Sequence, residues 1–158
     1  MEENNSQFVE CVPNFSEGHN IETINAIAEA IRSVDGVRIL HIDRGEAANR
    51  TVITFTGPAD AVVESAFRMV KRASELIDMR QHHGEHPRIG ATDVLPLIPL
   101  KNITLEECAQ RARALAERIY KELGIPTYCY EAAALRPEHI NLADCRHGEY
   151  EGLKEKML

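Results

Sequence analysis

Three of the seven histidines fall in one short stretch, Arg80-Gln81-His82-His83-Gly84-Glu85-His86-Pro87-Arg88-Ile89-Gly90-Ala91-Thr92-Asp93. Imidazole titrates near neutrality, and Glu85 and Asp93 are available to orient a ring or stabilise its protonated form, so one chemistry is general acid/base catalysis. Arg88 adds a guanidinium suited to clamping a carboxylate substrate. A second chemistry is metal binding, since His82, His83, Glu85, His86 and Asp93 are all legitimate zinc ligands. An H-x-x-x-H pair aims both rings at one ion only along a continuous helix, and Gly84 with Pro87 opposes such a helix. A third reading is a solvated surface loop without chemistry.

The other polar marks each carry two readings. Asn14 and Ser16-Glu17-Gly18 precede a helical segment, where a loop can bind an anion at the helix N-terminus; the same residues serve as a turn and cap, the reading preferred for Ser16 and Glu17. Asp43 ends an apolar run, as a substrate contact or as the start of a turn. Arg50 opens the next run, facing Asp43 across a hairpin, where an ordinary ion pair competes with a binding role. Tyr128 and Tyr130 alternate and so share a strand face, suited to stacking on a planar ligand or to core packing. Gly148-Glu149-Tyr150-Glu151-Gly152 has no chemical signature of its own.

Positioning these groups requires helices and strands that the apolar spacing reveals. A helical period over about Asn20 to Val34 puts Ile21, Ile24, Ile27, Ala28, Ile31 and Val34 on one stripe, ended by Asp35-Gly36. A second helix starts at Gly57-Pro58, with Val62, Val63, Ala66, Phe67, Val70, Ala73, Leu76 and Ile77 inward, and ends near Asp78 to Gly84. A third starts at Thr104, with Glu106 and Glu107 in its first turn, and runs to Gly124 and Pro126. Segments rich in β-branched and apolar residues predict strands over Phe8 to Val12, Val37 to Ile42, Thr51 to Phe55, Val94 to Leu100 and Thr127 to Tyr130. The order β-α-β-β-α-β-α-β predicts an α+β fold, a ferredoxin-like βαββαβ sheet with helices on one face and an additional C-terminal strand and extension. Gly84, Pro87 and Gly90 make the histidine-rich stretch the loop between the second helix and the strand at Val94.

Composition bounds the partners. With 158 residues the chain is expected to form one domain, 1–158, large enough for a core without staples. Lys and Arg number 18 against 25 Asp and Glu, a net charge of −7, which argues against nucleic acid. The longest apolar run, Val94 to Leu100, is far short of a bilayer span, and the first residues lack a signal-peptide pattern, so no membrane is expected and the location predicted is cytoplasmic. Cys11, Cys108, Cys129 and Cys145 are scattered with no C-x-x-C pair and read as reduced thiols.

One combination of motifs is more specific. Val9-Glu10-Cys11-Val12-Pro13-Asn14-Phe15-Ser16-Glu17-Gly18, Asn49-Arg50-Thr51-Val52, Leu76-Ile77-Asp78-Met79, His83 to Asp93 and Gly148 to Leu153 together resemble the glutamate formiminotransferase family, in its order and from Phe8 to about Leu153. The likeness is to the N-terminal half of that domain, whose fold pairs two ferredoxin-like subdomains with their sheets facing. It implies transfer of a formimino group from N-formiminoglutamate to N5 of tetrahydrofolate, the one-carbon acceptor, leaving glutamate, in a late step of histidine breakdown. It implies no metal.

By this resemblance His86, in Gly84-Glu85-His86-Pro87-Arg88, is the catalytic general acid/base, with Asp43 and Glu85 as polar partners. Arg50 and Arg88, together with Asn14, are expected to bind substrate or folate, the arginines by meeting carboxylates. The partners implied are the two small molecules and a C-terminal formiminotransferase subdomain absent from this chain; without that cover the sheet would leave an apolar patch, for which a homodimer is one remedy. Some relatives have a glycine between the equivalents of Tyr130 and Glu131, which this chain lacks. The rival reading is a formiminotransferase-like protein that binds folate or a partner chain without catalysis.

Overall fold

The structure, a computed structural model, describes residues 6–77 and 92–125. The first strand, β1 (Phe8–Cys11), is followed at once by a two-residue strand, β2 (Asn14–Phe15), and helix α1 (Ile21–Arg32). A hairpin of β3 (Arg38–Gly45) and β4 (Arg50–Pro58) leads into α2 (Ala59–Leu76). After the next described residue, Thr92, come β5 (Thr92–Val94), β6 (Leu97–Lys101) and α3 (Leu105–Leu123).

The predicted strand over Val94 to Leu100 is in fact two strands, and β2 was not predicted at all. Both differences come from proline. Pro13 and Pro96 lack an N–H, so the ladder is interrupted at each, and the two interruptions lie side by side: the Val12 N–H donates to the Pro96 carbonyl at 3.3 Å, and the Ile53 N–H to the Pro13 carbonyl at 3.2 Å. Register survives the break. Cys11 pairs with Phe55 and Asn14 with Val52, so β1 and β2 are one line against β4. Cys11 pairs with Leu97 and Asn14 with Val94, so β6 and β5 are likewise one line.

Every pairing is antiparallel, and β4 lies between β1 and β3. The unit β1-α1-β3 is therefore split by β4, consistent with the ferredoxin-like expectation. The fold is α+β. Alternate strand residues Val9, Cys11, Phe15, Ile53 and Phe55 are fully buried in one cluster with Ile27, Ala28 and Ile31 of α1, Val62, Ala66 and Met69 of α2 and Leu115 and Ile119 of α3. All three described helices thus cover one face of the sheet.

The helix ends follow local chemistry. Asn20 caps α1 by accepting from the Thr23 N–H at 3.1 Å. Thr104 and Glu107 form a reciprocal capping box on α3, which closes at Gly124 in the left-handed region at φ 70°. Helix α2 stops at Leu76, short of the expected end near Asp78 to Gly84, because Ile77 is extended while its N–H still bonds the Ala73 carbonyl. Ile21 and Leu76, at or next to the ends of the predicted stripes, are exposed, as is Leu105 in the first turn of α3. The predicted strand over Thr127 to Tyr130 and the C-terminal extension lie outside the described residues.

Candidate functional site on the open sheet face

Strand alternation assigns the polar groups to a face. With Val9, Cys11 and Phe15 inward, Phe8, Glu10, Val12 and Asn14 lie on the opposite face; with Thr51, Ile53 and Phe55 inward, Arg50, Val52, Thr54 and Thr56 do so on β4. On β3 a register shift between Ile39 and His41 leaves Leu40 as an extra residue. Ile39 opposes buried Phe55 and Ile42 opposes buried Ile53, so the shift turns His41 and Asp43 outward, opposite Thr54 and Val52.

Asn14, Asp43 and Arg50 therefore share the face that no described helix covers. Asp43, Val52 and Asn14 form one cross-strand row, which sets the Cα atoms of Asp43 and Asn14 about 10 Å apart. Arg50 donates from Nη1 to Asn14 Oδ1 at 3.0 Å, and its Nε is buried without a partner among the described residues. The ion pair considered between Asp43 and Arg50 is absent among the described residues: Arg50 opposes Gly45, and its guanidinium turns to Asn14. An amide oxygen leaves the cation's charge unneutralised, which suits an anionic ligand better than a carboxylate partner would.

The Ser16-Glu17-Gly18 segment holds this arrangement in place. Ser16 is buried, and the Glu17 carboxylate accepts from the backbone N–H groups of His19 and Asn20, both at 2.9 Å, so its role is the turn and cap expected. Thr51 donates its hydroxyl to the Glu17 carbonyl at 2.6 Å, and the Gly18 N–H is bonded to Asn49 Oδ1 at 2.8 Å. The His19 ring lies 2.7 Å from the Glu46 carbonyl. A Cβ on Gly18 would sit 2.4 Å from the Gly45 carbonyl oxygen and 2.8 Å from the Arg50 nitrogen, so only glycine lets the loop approach the hairpin end that carries Arg50.

Further polar residues share the open face: Glu10, Arg38, His41, Thr54, Thr56 and, opposite Phe8, Lys101. Glu10 was not singled out from the sequence, although a period of two starting at Val9 places it on this face. His41 was not legible, because its face depends on the bulge at Leu40. His86, Glu85 and Arg88, with His82 and His83, lie outside the described residues, as do Tyr128 and Tyr130. Among the described residues no group of three or more His, Cys, Asp or Glu side chains is arranged to hold a metal ion. Burial pushes the Cys11 thiol far above the usual range, and Cys108 is raised for the same reason, so neither is a ready nucleophile. No helix among the described residues is long and apolar enough to cross a membrane.

An antiparallel sheet sheathed by helices on one side and presenting an arginine, an amide and carboxylates on the other defines an α+β domain with an open polar sheet face. The family described as formiminotransferase domain, N-terminal subdomain, matches residues 8–158, and the chain belongs to it. It is 49% identical over 153 residues to a glutamate formimidoyltransferase of Streptococcus pyogenes serotype M1, covering 97% of this chain and 51% of the relative. It is 49% identical over 151 residues to one from Thermoplasma acidophilum, covering 94% and 50%. With the formimidoyltransferase-cyclodeaminase of Rattus norvegicus it shares 50% identity over 152 residues, 96% of this chain and 28% of the relative. The chain thus spans about half the length of the first two relatives and just over a quarter of the third.

Proposed function

We propose that residues 1–158 are the N-terminal subdomain of a cytoplasmic glutamate formiminotransferase, which moves the formimino group of N-formiminoglutamate to N5 of tetrahydrofolate. The observation that carries this reading is identity near one half across 94–97% of the chain with relatives named glutamate formimidoyltransferase. Tetrahydrofolate is here the acceptor substrate, and no metal takes part.

In the proposed reaction N5 attacks the formimino carbon and a tetrahedral intermediate forms. N5 gives up a proton, and the glutamate nitrogen takes one as the old C–N bond breaks. One imidazole can accept the first proton and deliver the second, and this is the role of His86, with Asp43 and Glu85 as its polar partners. Arg50, held by Asn14, and Arg88 meet substrate carboxylates.

The C-terminal formiminotransferase subdomain is the proposed cover of the open face. Ile98 and Leu100 on β6 are 38% and 54% exposed, and Phe8, Val12 and Val52 add apolar surface between the polar groups. Self-pairing in a homodimer is the alternative cover. The test is a formimino-transfer assay on this chain with N-formiminoglutamate and tetrahydrofolate, alone and with a separately supplied C-terminal subdomain. Activity that requires complementation is expected, and silence in both arms sinks the reading. In the active preparation His86→Ala should lower kcat by about a hundredfold or more while the melting curve is unchanged, and turnover at the wild-type rate refutes the acid/base role.

A further inference from the structure

Glu10 is a carboxylate that the proposed reaction leaves unused. It stands half-buried on β1, an interior strand, on the helix-free face. Its cross-strand neighbours are Thr56 on β4 and Ile98 on β6, and along its own strand the same face carries Phe8 and Val12. Ile98, Phe8 and Val12 are apolar. The Thr56 hydroxyl donates its proton to the Val9 carbonyl at 2.9 Å and has none to give Glu10. Arg38 occupies the same cross-strand row but lies beyond Thr56, and Arg50 is committed to Asn14. No ion pair or hydrogen bond joins Glu10 to any described residue. A half-buried carboxylate among apolar neighbours on an interior strand is open to a ligand or partner that brings donors to it.

The rest of the face says which donors. Four residues further along the same line, Asn14 and Arg50 offer the opposite chemistry, and the two points lie about 13 Å apart. One end suits a carboxylate. The other suits a flat, weakly polar ring whose edge presents two parallel N–H groups, because a carboxylate accepts such a pair bidentately while Phe8, Val12 and Ile98 pack on apolar ring faces. This inference rests on the proposed reaction, in which N5 of tetrahydrofolate must reach the formimino carbon of a donor whose carboxylates are met by Arg50 and Arg88.

We infer that Glu10 binds the pterin ring of the acceptor, its two oxygens accepting from the N3–H and the 2-amino group. The residue fixes which edge of the ring faces the sheet, and it orients N5 toward the donor held near Arg50. It is a binding and specificity residue and takes no part in proton transfer.

The test pairs Glu10→Gln with an acceptor that lacks the donor edge, 2-desamino-2-methyltetrahydrofolate, using this chain complemented by the C-terminal formiminotransferase subdomain. Wild type should show a KM about ten- to a hundredfold higher for the desamino acceptor, and E10Q should raise the KM for tetrahydrofolate by a similar factor. The variant should then discriminate between the two acceptors by less than about twofold, with the KM for N-formiminoglutamate and the melting temperature unchanged. Discrimination retained in E10Q overturns the inference. So does a variant that weakens both acceptors equally and lowers the stability of the complex, which would make Glu10 a contact with the covering subdomain. If the wild-type complex transfers no formimino group, the reaction itself has failed; equilibrium binding of the two acceptors to wild type and E10Q then gives the same comparison without turnover.

Discussion

Gly18→Ala is the substitution whose cost can be worked most directly from the structure. The new Cβ would meet three backbone atoms: the Gly45 oxygen at 2.4 Å, the Arg50 nitrogen at 2.8 Å and the Asn49 Cα at 3.0 Å. None of them can rotate away as a side-chain tip would. The closest is about 1 Å short of ordinary contact, so the loop must lift from the hairpin end. Overpacking of this kind costs about 1–3 kcal/mol. Lifting the loop also breaks the buried bond from the Gly18 N–H to Asn49 Oδ1, adding about 1 kcal/mol. The sum, about 2–4 kcal/mol, corresponds to a fall in melting temperature of about 5–15 °C in a chain of this size. Gly45→Ala is the matched control: its nearest non-local atom is 3.6 Å away and its backbone is not left-handed, so it should stay within about 0.5 kcal/mol of wild type. Thermal melts followed by circular dichroism decide the matter. If Gly18→Ala melts within about 1 °C of wild type, the loop is not held against the hairpin as described, and the account of how Arg50 is positioned fails with it.

Three further outcomes follow from contacts away from the open face. Thr104→Ala removes the hydroxyl that accepts from the Glu107 N–H at 3.1 Å and should cost about 1 kcal/mol in urea unfolding, with Thr104→Ser restoring most of it; an unchanged midpoint refutes the capping role. Arg118→Ala removes a guanidinium that lies 3.7 Å over the Phe67 ring and bonds Glu64 at 2.7 Å, and a loss of about 1 kcal/mol near neutral pH is expected. The Arg118 hydrogen bond, more than any other cause, holds the Glu64 carboxyl below its usual 4.5. A depressed carboxyl contributes stability above that value and loses it as pH falls through the lowered one, so the gap between wild type and R118A should narrow on acidification; a gap that widens is the opposite sign. Cys11 is fully buried with its thiol pushed up by desolvation, so an alkylating reagent at mildly alkaline pH should modify it only after denaturant is added, and mass spectrometry showing labelling of Cys11 in the native state would contradict its location.

The helices were legible because their signals are local. Thr104 with Glu107, and Gly124 four residues beyond Tyr120, act within one turn, and the 3.6-residue apolar period of α1 and α2 reports directly on one packed face. Strand existence was legible for the same reason, from runs such as Thr51 to Phe55 that alternate cleanly inward and outward. The subdivision of the sheet was not. Pro13 and Pro96 are 83 positions apart, and each alone suggests only an edge or an end; that they break neighbouring strands at one level is a fact of register. Asn14 is therefore a sheet residue bonded to Arg50, where its place before α1 had suggested a loop serving the helix N-terminus.

The same limit governs the site itself. Continued from Ile39, strict alternation would send His41 and Asp43 inward with it, into the layer filled by Phe55 and Ile53. A carboxylate there would need a partner that the apolar cluster does not provide, so a strand without the bulge would be selected against by its own desolvation cost. One extra residue, Leu40, resolves the conflict by moving Ile42 into the core and Asp43 onto the open face, in a single row with Val52 and Asn14. The juxtaposition of Asp43, Asn14 and Arg50 thus depends on a bulge in β3, a register kept across the proline break after β1 and a glycine contact between two loops. Residue types and spacing named the three residues as candidates; only the pairing of strands distant in sequence brings them to one surface.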